Sequence, residues 1–365
     1  MKDQVALMVC TKARGGMLSV VQGYERDDMY RSWKFQSLWT HKDGSALTRV
    51  GAALSAYCTM LGFLVRGKVS FMHVHAAMRG SFWRKALFVR TARSFGVPSI
   101  IHLHGSEMQS FYNSLSPARQ KAVGLVLEKA EAVVVLSESW RKFVQEIAPR
   151  ARITVLNNYV VLPSLDDKSL DTPAETTFNV LFLGLLGQRK GIYDLLQCWP
   201  AVTEVIPGAR LRIGGNGEVE LAKQRAAELG IEQSVDFLGW IDGERKLELL
   251  RDADVFVLPS YNEGLPMSVL EAMSFGKAVI TTRVGGIPEL VSDGDDGLLI
   301  NAGNLAQLTT ALLRLAEDVQ FRHALGAAAR RRIEGQFSDK VILPRLEDLY
   351  RQVSEQGRQG QALVK

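Results

Sequence analysis

One stretch of the chain decides the fold: Val255-Phe-Val-Leu258, followed by Pro259-Ser-Tyr-Asn-Glu-Gly-Leu-Pro-Met-Ser-Val-Leu-Glu-Ala-Met273. The first four residues are apolar without alternation, which is typical of a strand buried on both faces of a sheet. Pro266 suits the first turn of a helix, so the stretch predicts a strand, a loop and a helix in succession. Glu263 then lies in the loop, and Glu271 lies on the helix a little beyond its first turn.

This loop has the chemistry to bind a sugar or a phosphate. The backbone amides of Gly264 and Leu265 lie where the start of a helix leaves N–H groups without intrahelical partners. The carboxylates of Glu263 and Glu271 can accept hydrogen bonds from vicinal hydroxyl groups, such as those of a ribose or a hexose. We therefore predict that the loop binds a sugar-containing ligand.

Short apolar runs of the same kind alternate with amphipathic segments along the whole chain. Ten runs predict strands: Val5–Val9, Val69–Val74, Ser99–Leu103, Ala132–Leu136, Ile153–Leu156, Asn179–Leu183, Arg210–Ile213, Val235–Leu238, Val255–Leu258 and Ala278–Thr281. Segments between them predict helices: Arg84–Ser94, Ser116–Ala130, Ile192–Val205 and Val219–Leu229. Buried strands that alternate with helices indicate parallel sheets covered on both faces. The fold class is therefore α/β, with doubly wound, Rossmann-like domains.

The seam between two such domains lies near residue 170. Residues 161–177 contain two prolines and several acids without sustained periodicity, which is typical of a linker. A length of 365 residues also suits about two domains. Ligands of doubly wound folds bind beyond the carboxyl ends of the strands, so the loops that follow strands are the candidate sites.

Two of these loops combine glycine with a phosphate-binding potential. Gly15 and Gly16 follow the first strand and allow backbone amides to approach an anion, although a plain tight turn explains them equally well. Arg189 and Lys190 follow the first strand of the second half, where fixed cations can neutralise a departing diphosphate. The dinucleotide fingerprint G-x-G-x-x-G is missing from the first loop, which argues against a nicotinamide dehydrogenase.

A histidine ends the strand Ser99–Leu103. His104 precedes Gly105 and is placed to hydrogen-bond a sugar or phosphate, or to shuttle a proton. His73 and His75 are similarly placed after the preceding strand, where a structural role is the simpler interpretation.

The charge differs between the two halves of the chain. Residues 1–170 carry 23 Lys and Arg and 12 Asp and Glu, a net charge of +11, and the remainder of the chain carries −6. The basic half indicates an anionic partner, such as a membrane surface or a lipid-linked diphosphate. Within it, residues Arg79–Arg93 mix five cations with aromatic side chains. This segment could lie on an anionic membrane, or pack its apolar side into the domain with its cations outward. Nucleic-acid binding would explain the charge but not the loop of Glu263 and Glu271.

Cysteine content and apolar runs bear on the compartment. The three cysteines, Cys10, Cys58 and Cys198, lack metal-ligand spacing and are expected to be buried thiols in a reducing cytoplasm. The longest apolar stretch, Gly51–Val65, is too short to span a bilayer and is expected to be a buried helix. The chain begins without the pattern of a signal peptide.

The motifs resemble glycosyltransferase family 4, retaining enzymes of the GT-B architecture, in which two such domains face each other across a cleft. The resemblance rests on residues 262–273, on Arg189-Lys-Gly191 and on Val284-Gly-Gly-Ile-Pro-Glu289. It covers nearly all of the second half, and the first half only through Gly15-Gly16 and the strand end at His104. Members with these motifs commonly extend lipid-linked saccharides in exopolysaccharide or O-antigen synthesis.

The resemblance implies a role for each motif. Residues 1–170 would bind the acceptor, 171–337 would bind the nucleotide-sugar donor, and a helix in 338–365 would cross back to the first domain. Glu263 would contact the donor sugar and Glu271 the ribose. Lys190 would bind the diphosphate with Gly16 behind it, His104 would lie beside the transferred sugar, and Gly215-Asn216 would lie near the nucleotide. The family often has an arginine where this chain has Leu185, so Arg189 becomes the candidate for the second phosphate contact.

The resemblance also implies transfer of a hexose with retention and without a metal ion or other cofactor. The donor would be linked to UDP or GDP, and the enzyme would work at the cytoplasmic face of the plasma membrane. Asp252–Asp254 and Asp293–Asp295 look like metal-binding acid pairs, but their turn context explains them. A sugar-nucleotide epimerase or a non-catalytic binder of the same fold is the alternative, although an epimerase needs an acid/base set beyond His104.

Overall fold

The structure, a computed structural model, describes residues 4–164 and 178–362, with side chains up to residue 357. Most of the predicted linker, residues 165–177, lies outside the described residues. The chain forms two compact units: unit 1 comprises Met1–Asn158 and Ile342–Lys365, and unit 2 comprises Tyr159–Val341. The boundaries predicted near residues 170 and 337 stay predictions.

Unit 1 contains a parallel sheet with helices between its strands. The strands are β1 Val5–Cys10, β2 Gln36–Trp39, β3 Val69–Ala76, β4 Ser99–Leu103, β5 Ala132–Val135 and β6 Ile153–Val155. Their order in the sheet is β2-β1-β3-β4-β5-β6. The helices are α1 Gly16–Arg26, α2 Asp28–Ser32, α3 Ala46–Val65, α4 Gly80–Ser94, α5 Met108–Asn113, α6 Pro117–Glu128 and α7 Glu138–Ile147. Among the described residues of this unit, the central strands are buried on both faces.

Unit 2 repeats the plan. Its strands are β7 Asn179–Leu183, β8 Arg210–Gly214, β9 Val235–Gly239, β10 Val255–Leu258, β11 Ala278–Thr282 and β12 Leu298–Ile300. Its helices are α8 Ile192–Val205, α9 Val219–Glu228, α10 Gly243–Asp252, α11 Met267–Ser274, α12 Ile287–Leu290, α13 Leu305–Glu317 and α14 Val319–Arg332. The strand order is β12-β11-β10-β7-β8-β9, the Rossmann arrangement. Two doubly wound α/β domains are therefore confirmed.

The ten predicted strands are confirmed, but the structure adds β2 and β12. Both lie at sheet edges. β2 is half exposed and contains polar residues, whereas β12 is apolar and buried but only three residues long.

The C-terminal helix, α15 Asp339–Ala362, packs into unit 1 from Ile342 onward. Tyr350 is buried, and its ring lies 5.1 Å from that of Phe71 and 5.3 Å from that of Phe35. The Tyr350 hydroxyl lies 2.7 Å from His73 Nδ1. The last helix thereby contributes to the core beneath the unit 1 sheet.

Two expectations about unit 1 were wrong. Helix α3, which contains Gly51–Val65, is mostly exposed instead of buried. Cys58 on this helix is exposed, whereas Cys10 and Cys198 are buried as predicted. Helix α3 covers the edge of the sheet near β2, where fewer neighbours surround it than would surround a central helix. Among the described residues it is the one helix long and apolar enough to cross a membrane, by length and composition alone.

The segment Arg79–Arg93 lies in helix α4, with Arg79 as its N-cap, and packs aromatic side chains into unit 1. Phe82 and Phe88 are each 1% exposed and belong to the core of unit 1. Lys85 is also buried, and its Nζ donates to Thr40 Oγ1 at 2.5 Å. Burial lowers the pKa of Lys85 to about 7. The aromatic side of α4 therefore packs inward.

Candidate active site

The strand order of unit 2 places two glycine-containing loops side by side. β7 and β10 are neighbouring parallel strands, with Val180 opposite Val255. The chain leaves the sheet in different directions after these two strands, which is where doubly wound folds bind ligands. The loop after β7 carries Arg189 and Lys190, and the loop after β10 carries Glu263.

Lys190 and Glu263 meet in this position, although 73 residues separate them in sequence. Their side chains form an ion pair, and the side chains are only 15% and 6% exposed. The buried Ser260 hydroxyl donates to Glu263 Oε1 at 2.7 Å. The attraction between two opposite charges is stronger in such a partly desolvated position than in water. The site thus presents a fixed cation beside a fixed carboxylate.

Arg189 belongs to the same pair of loops as Lys190 and Glu263. Leu185 stands where the family often has an arginine. The Arg189 guanidinium donates to the Asn262 carbonyl at 3.2 Å, and the Tyr261 amide donates to the Arg189 carbonyl at 2.9 Å. These bonds hold the two loops together. Leu185 is 49% exposed. Arg189 is placed to add positive charge, but its guanidinium is engaged with backbone.

Glu271 lies on α11 and binds a cation from another helix. Lys246 of α10 donates to Glu271 Oε1 at 2.7 Å, and both side chains are about one fifth exposed, at 24% and 18%. The pair leaves Oε2 of Glu271 for a ligand. Lys246 belongs to no sequence motif and lies 25 residues before its partner, so it was not predicted as a site residue.

The glycines of these loops allow close approaches between backbones. Gly191 has φ of +70°, and a Cβ there would lie 2.1 Å from the Pro259 carbonyl oxygen. Gly215 has φ of +155°, and a Cβ there would lie 1.8 Å from the Gly184 carbonyl oxygen. A side chain at either position would push the loops apart.

The remaining predicted donor contacts surround these loops. The Asn216 carbonyl accepts from the Leu186 amide at 2.7 Å, while the Asn216 side chain is exposed. The Gly264 carbonyl accepts from the Gly286 amide at 2.8 Å. Leu265 is 3% exposed and packs under the loop. Unit 2 thus brings together Arg189, Lys190, Gly264 and Glu263, and supports them with glycine contacts.

The candidate residues of unit 1 lie at its own sheet's carboxyl edge. Gly15 has φ of +143° with open space where a Cβ would be, and Gly16 begins α1. The Gly15 carbonyl accepts from the Leu18 amide at 3.0 Å, so the loop passes directly into the helix. Gly16 is exposed at the start of that helix, as anion binding requires.

His104 is held by a chain of contacts that fixes its protonation. His75 Nε2 lies 3.0 Å from Met8 Sδ, and a thioether sulfur can only accept a hydrogen bond. Burial lowers the pKa of His75 well below its ordinary value, so the ring is neutral and its Nδ1 carries no hydrogen. His75 Nδ1 therefore accepts from His104 Nε2, 2.8 Å away. Because burial also lowers the pKa of His104 to about 3, its own Nδ1 is a hydrogen-bond acceptor.

A second pair of histidines lies beside the first. His73 Nε2 lies 3.2 Å from His102 Nδ1, and both rings are buried. Ring nitrogens of His73, His75 and His102 lie within 4.8 Å of one another, a spacing that a metal ion could bridge. His73 also bonds to Tyr350, and His75 bonds to Met8 and His104, whereas His102 Nε2 is buried without a hydrogen-bond partner among the described residues.

The two acid pairs have structural partners, as their turn context predicts. Asp254 accepts from the Asn179 amide at 2.8 Å and pairs with Arg322. Asp293 accepts from the Leu299 amide at 2.8 Å and pairs with Arg283 at 2.5 Å. Their carboxylates stabilise strand ends and a turn.

Comparison with protein families divides the chain in two. A family described as "Glycosyl transferase 4-like domain" matches residues 6–159, and one described as "Glycosyl transferases group 1" matches residues 167–332. The two matches adjoin across the linker region and together account for most of the chain.

Relatives and solved structures agree with these matches. The chain is 25% identical to a glycogen synthase of Mycobacterium tuberculosis over 334 residues, covering 88% of this chain and 77% of that protein. It is 30% identical to the lipopolysaccharide core biosynthesis glycosyltransferase LpsE of Rhizobium meliloti, over 54% of this chain and 58% of that protein. The crystal structure of Anabaena HepE in complex with UDP-glucose has a TM-score of 0.70 and 16% identity, covering 98% of this chain and 100% of that one.

Proposed function

We propose that this chain, whose residues 6–159 and 167–332 match these two glycosyltransferase families, is a retaining, metal-independent hexosyltransferase. Its donor is a hexose linked to UDP or GDP, and its acceptor is a lipid-linked saccharide of cell-surface polysaccharide synthesis. The enzyme acts at the cytoplasmic face of the plasma membrane. The two family matches and the similarity to a glycogen synthase support sugar transfer itself.

One observation carries the proposed chemistry: Lys190 and Glu263 form an ion pair where neighbouring strands β7 and β10 end. A nucleotide sugar presents a diphosphate next to a hexose rich in hydroxyl groups. Lys190 is proposed to bind the diphosphate, and Glu263 to accept hydrogen bonds from the hexose. The UDP-glucose complex of HepE, a protein of similar fold, supports a donor of this kind.

In the proposed reaction, negative charge develops on the departing diphosphate, where the loops can stabilise it. The bond between the anomeric carbon and the diphosphate oxygen breaks, and a bond to the acceptor hydroxyl oxygen forms on the same face of the sugar. The acceptor proton passes to an oxygen of the departing diphosphate, so that no protein base is consumed. Lys190, Arg189 and the amides that begin α11 are proposed to stabilise the negative charge on the leaving group.

We also propose ligand contacts for the candidate residues of unit 1 and for the remaining candidates of unit 2. Gly15 and Gly16 would present backbone amides to a phosphate. His104 offers Nδ1 as an acceptor, so we propose that it accepts a hydrogen bond from a hydroxyl of the transferred hexose. Glu271 is proposed to bind the ribose through Oε2, with Gly215 and Asn216 near the nucleotide.

Two features support a lipid-linked acceptor. Unit 1 has the strong excess of cations that a diphosphate-linked lipid would attract. The relative LpsE is named for lipopolysaccharide core biosynthesis.

The test is release of nucleotide from radiolabelled UDP- and GDP-hexoses in the presence of EDTA and a membrane lipid extract. We expect one nucleotide class to support transfer, with EDTA without effect and the product anomer matching the donor by NMR. Interconversion of the donor sugar without an acceptor would favour an epimerase instead. Loss of transfer in EDTA, or an inverted anomer, would contradict the corresponding part of the proposal.

A further inference from the structure

Helix α3 exposes a continuous apolar stripe. Leu47, Val50, Leu54 and Val65 are 85%, 57%, 60% and 73% exposed. They are spaced by three, four and eleven residues, which places them on one side of a helix that turns 100° per residue. Cys58 lies on the same side and is exposed. At 1.5 Å per residue the 20-residue helix is about 30 Å long, so the stripe is an extended surface.

The opposite side of α3 is anchored in unit 1. Ala56, Met60 and Leu64 belong to its buried core. The Tyr57 hydroxyl lies 2.8 Å from Thr91 Oγ1 of α4, and the Tyr57 ring packs on Phe88 at 5.3 Å. The helix could not cross a membrane without opening this core. A surface that it contacts must therefore lie along it.

The stretch of sequence that forms α3 and α4 carries charge of one sign. No Asp or Glu occurs between Asp43 and Glu107, a stretch that spans both α3 and α4. The stretch contains eight cations: Arg49, Arg66, Lys68, Arg79, Arg84, Lys85, Arg90 and Arg93. Lys85 is buried, whereas Arg49 and Arg66 are exposed near the two ends of α3 and Arg90 and Arg93 are exposed on α4. Leu87 and Phe95 are exposed on or beside α4, at 51% and 43%.

We propose that α3 docks unit 1 onto an anionic lipid bilayer, lying in the plane of the interface with its apolar stripe inserted. Apolar residues flanked by cations and free of acids match the headgroup region of such a bilayer. A second copy of the chain fits less well, because a symmetric contact through α3 would bring like charges together. The inference deepens the proposed lipid-linked acceptor, and it assigns the apolar contact to α3 instead of the aromatic side of α4.

Vesicle flotation of the full chain tests the docking. We use vesicles of neutral phosphatidylcholine with about 30% anionic phosphatidylglycerol, and the same vesicles without the anionic lipid. Binding to the anionic vesicles is expected, with at least a tenfold loss in the double variant L47S/L54S. Both leucines are exposed, so the variant should fold. The matched control is V205S/L221S, which replaces exposed apolar residues of unit 2 and should bind as the parent does.

Cys58 provides a second readout in the unaltered chain. Its exposed thiol should react with a maleimide, and anionic vesicles should slow that reaction at least tenfold while neutral vesicles should not. The proposal is overturned if anionic vesicles do not bind, if L47S/L54S binds as tightly as V205S/L221S, or if bound vesicles leave Cys58 equally reactive. Self-association that L47S/L54S abolishes would assign the stripe to a second copy. UDP and GDP binding, measured without vesicles, reports the donor site separately, so failure of docking is distinguishable from failure of the proposed transfer.

Discussion

Replacing Glu271 by alanine should weaken nucleotide binding without unfolding the protein. In the structure Glu271 Oε1 binds Lys246 at 2.7 Å, and the proposal gives Oε2 to the ribose hydroxyls. Lys246 keeps 24% of its side chain exposed, so water can solvate its ammonium group when the carboxylate is removed. The variant should therefore fold, and any loss of affinity reflects the missing ligand contact.

The size of the loss follows from the number of bonds removed. A hydrogen bond to a charged group contributes about 1.5–3 kcal/mol. Because Oε1 is occupied by Lys246, one such bond to Oε2 is the expected loss. At about 1.4 kcal/mol per tenfold change, the Kd of the nucleotide should rise roughly 10- to 100-fold.

Isothermal titration calorimetry with UDP and with GDP, in buffer containing EDTA, measures this effect. The control is Glu248→Ala, because Glu248 is also ion-paired, with Arg245 at 2.9 Å. That variant should bind nucleotide as the parent does. A folded Glu271→Ala protein whose Kd stays within twofold of the parent would refute the assignment of Glu271, and binding of neither nucleotide by the parent would refute the donor site.

Three further predictions concern charge, backbone and pH. Lys190→Met should lower kcat about 10²- to 10³-fold with a smaller change in KM, because the cation stabilises charge that develops on the leaving group. The control is Lys223→Met, and equal effects of the two substitutions on the transfer rate would contradict the proposed role of Lys190. Gly191→Ala should lower the free energy of unfolding, measured in urea, by more than about 2 kcal/mol, because its Cβ would lie 2.1 Å from a carbonyl oxygen. Gly230→Ala, where φ is +68° but a Cβ would meet open space, should lower it by about 1 kcal/mol. Burial lowers the pKa of His104 and of three neighbouring histidines below 6.5, so the unfolded chain binds more protons there and stability should fall as pH drops below 6.5. The loss at pH 5.5 is about 1 kcal/mol per histidine, and equal urea midpoints at pH 7.5 and 5.5 would contradict the neutral cluster.

The sequence by itself determined the two parallel sheets and pointed to the loops that we propose to bind the donor. A central strand of a parallel sheet is buried on both faces, which favours apolar residues, and ten mostly apolar runs were visible in the sequence. The loop containing Glu263 could be recognised because its residues are consecutive, and the cations at 189–190 because they follow a strand directly. These signals lie in residues that are close together in the chain, so a single sequence is enough to detect them.

The tertiary structure decided the features that depend on neighbours distant in the chain. The edge strand β2 lacks a continuous apolar run because an edge strand has less to pack against, and β12 is apolar but too short to be recognised as a strand. Lys246 contacts Glu271 from a different helix. Met8 accepts a hydrogen bond from His75, which in turn accepts one from His104, so a residue of β1 determines which nitrogen of His104 carries the proton. The apolar composition of α3 predicted burial, but whether an apolar helix is buried depends on what the fold places against it. In this protein the fold covers one side of α3 and leaves the other exposed.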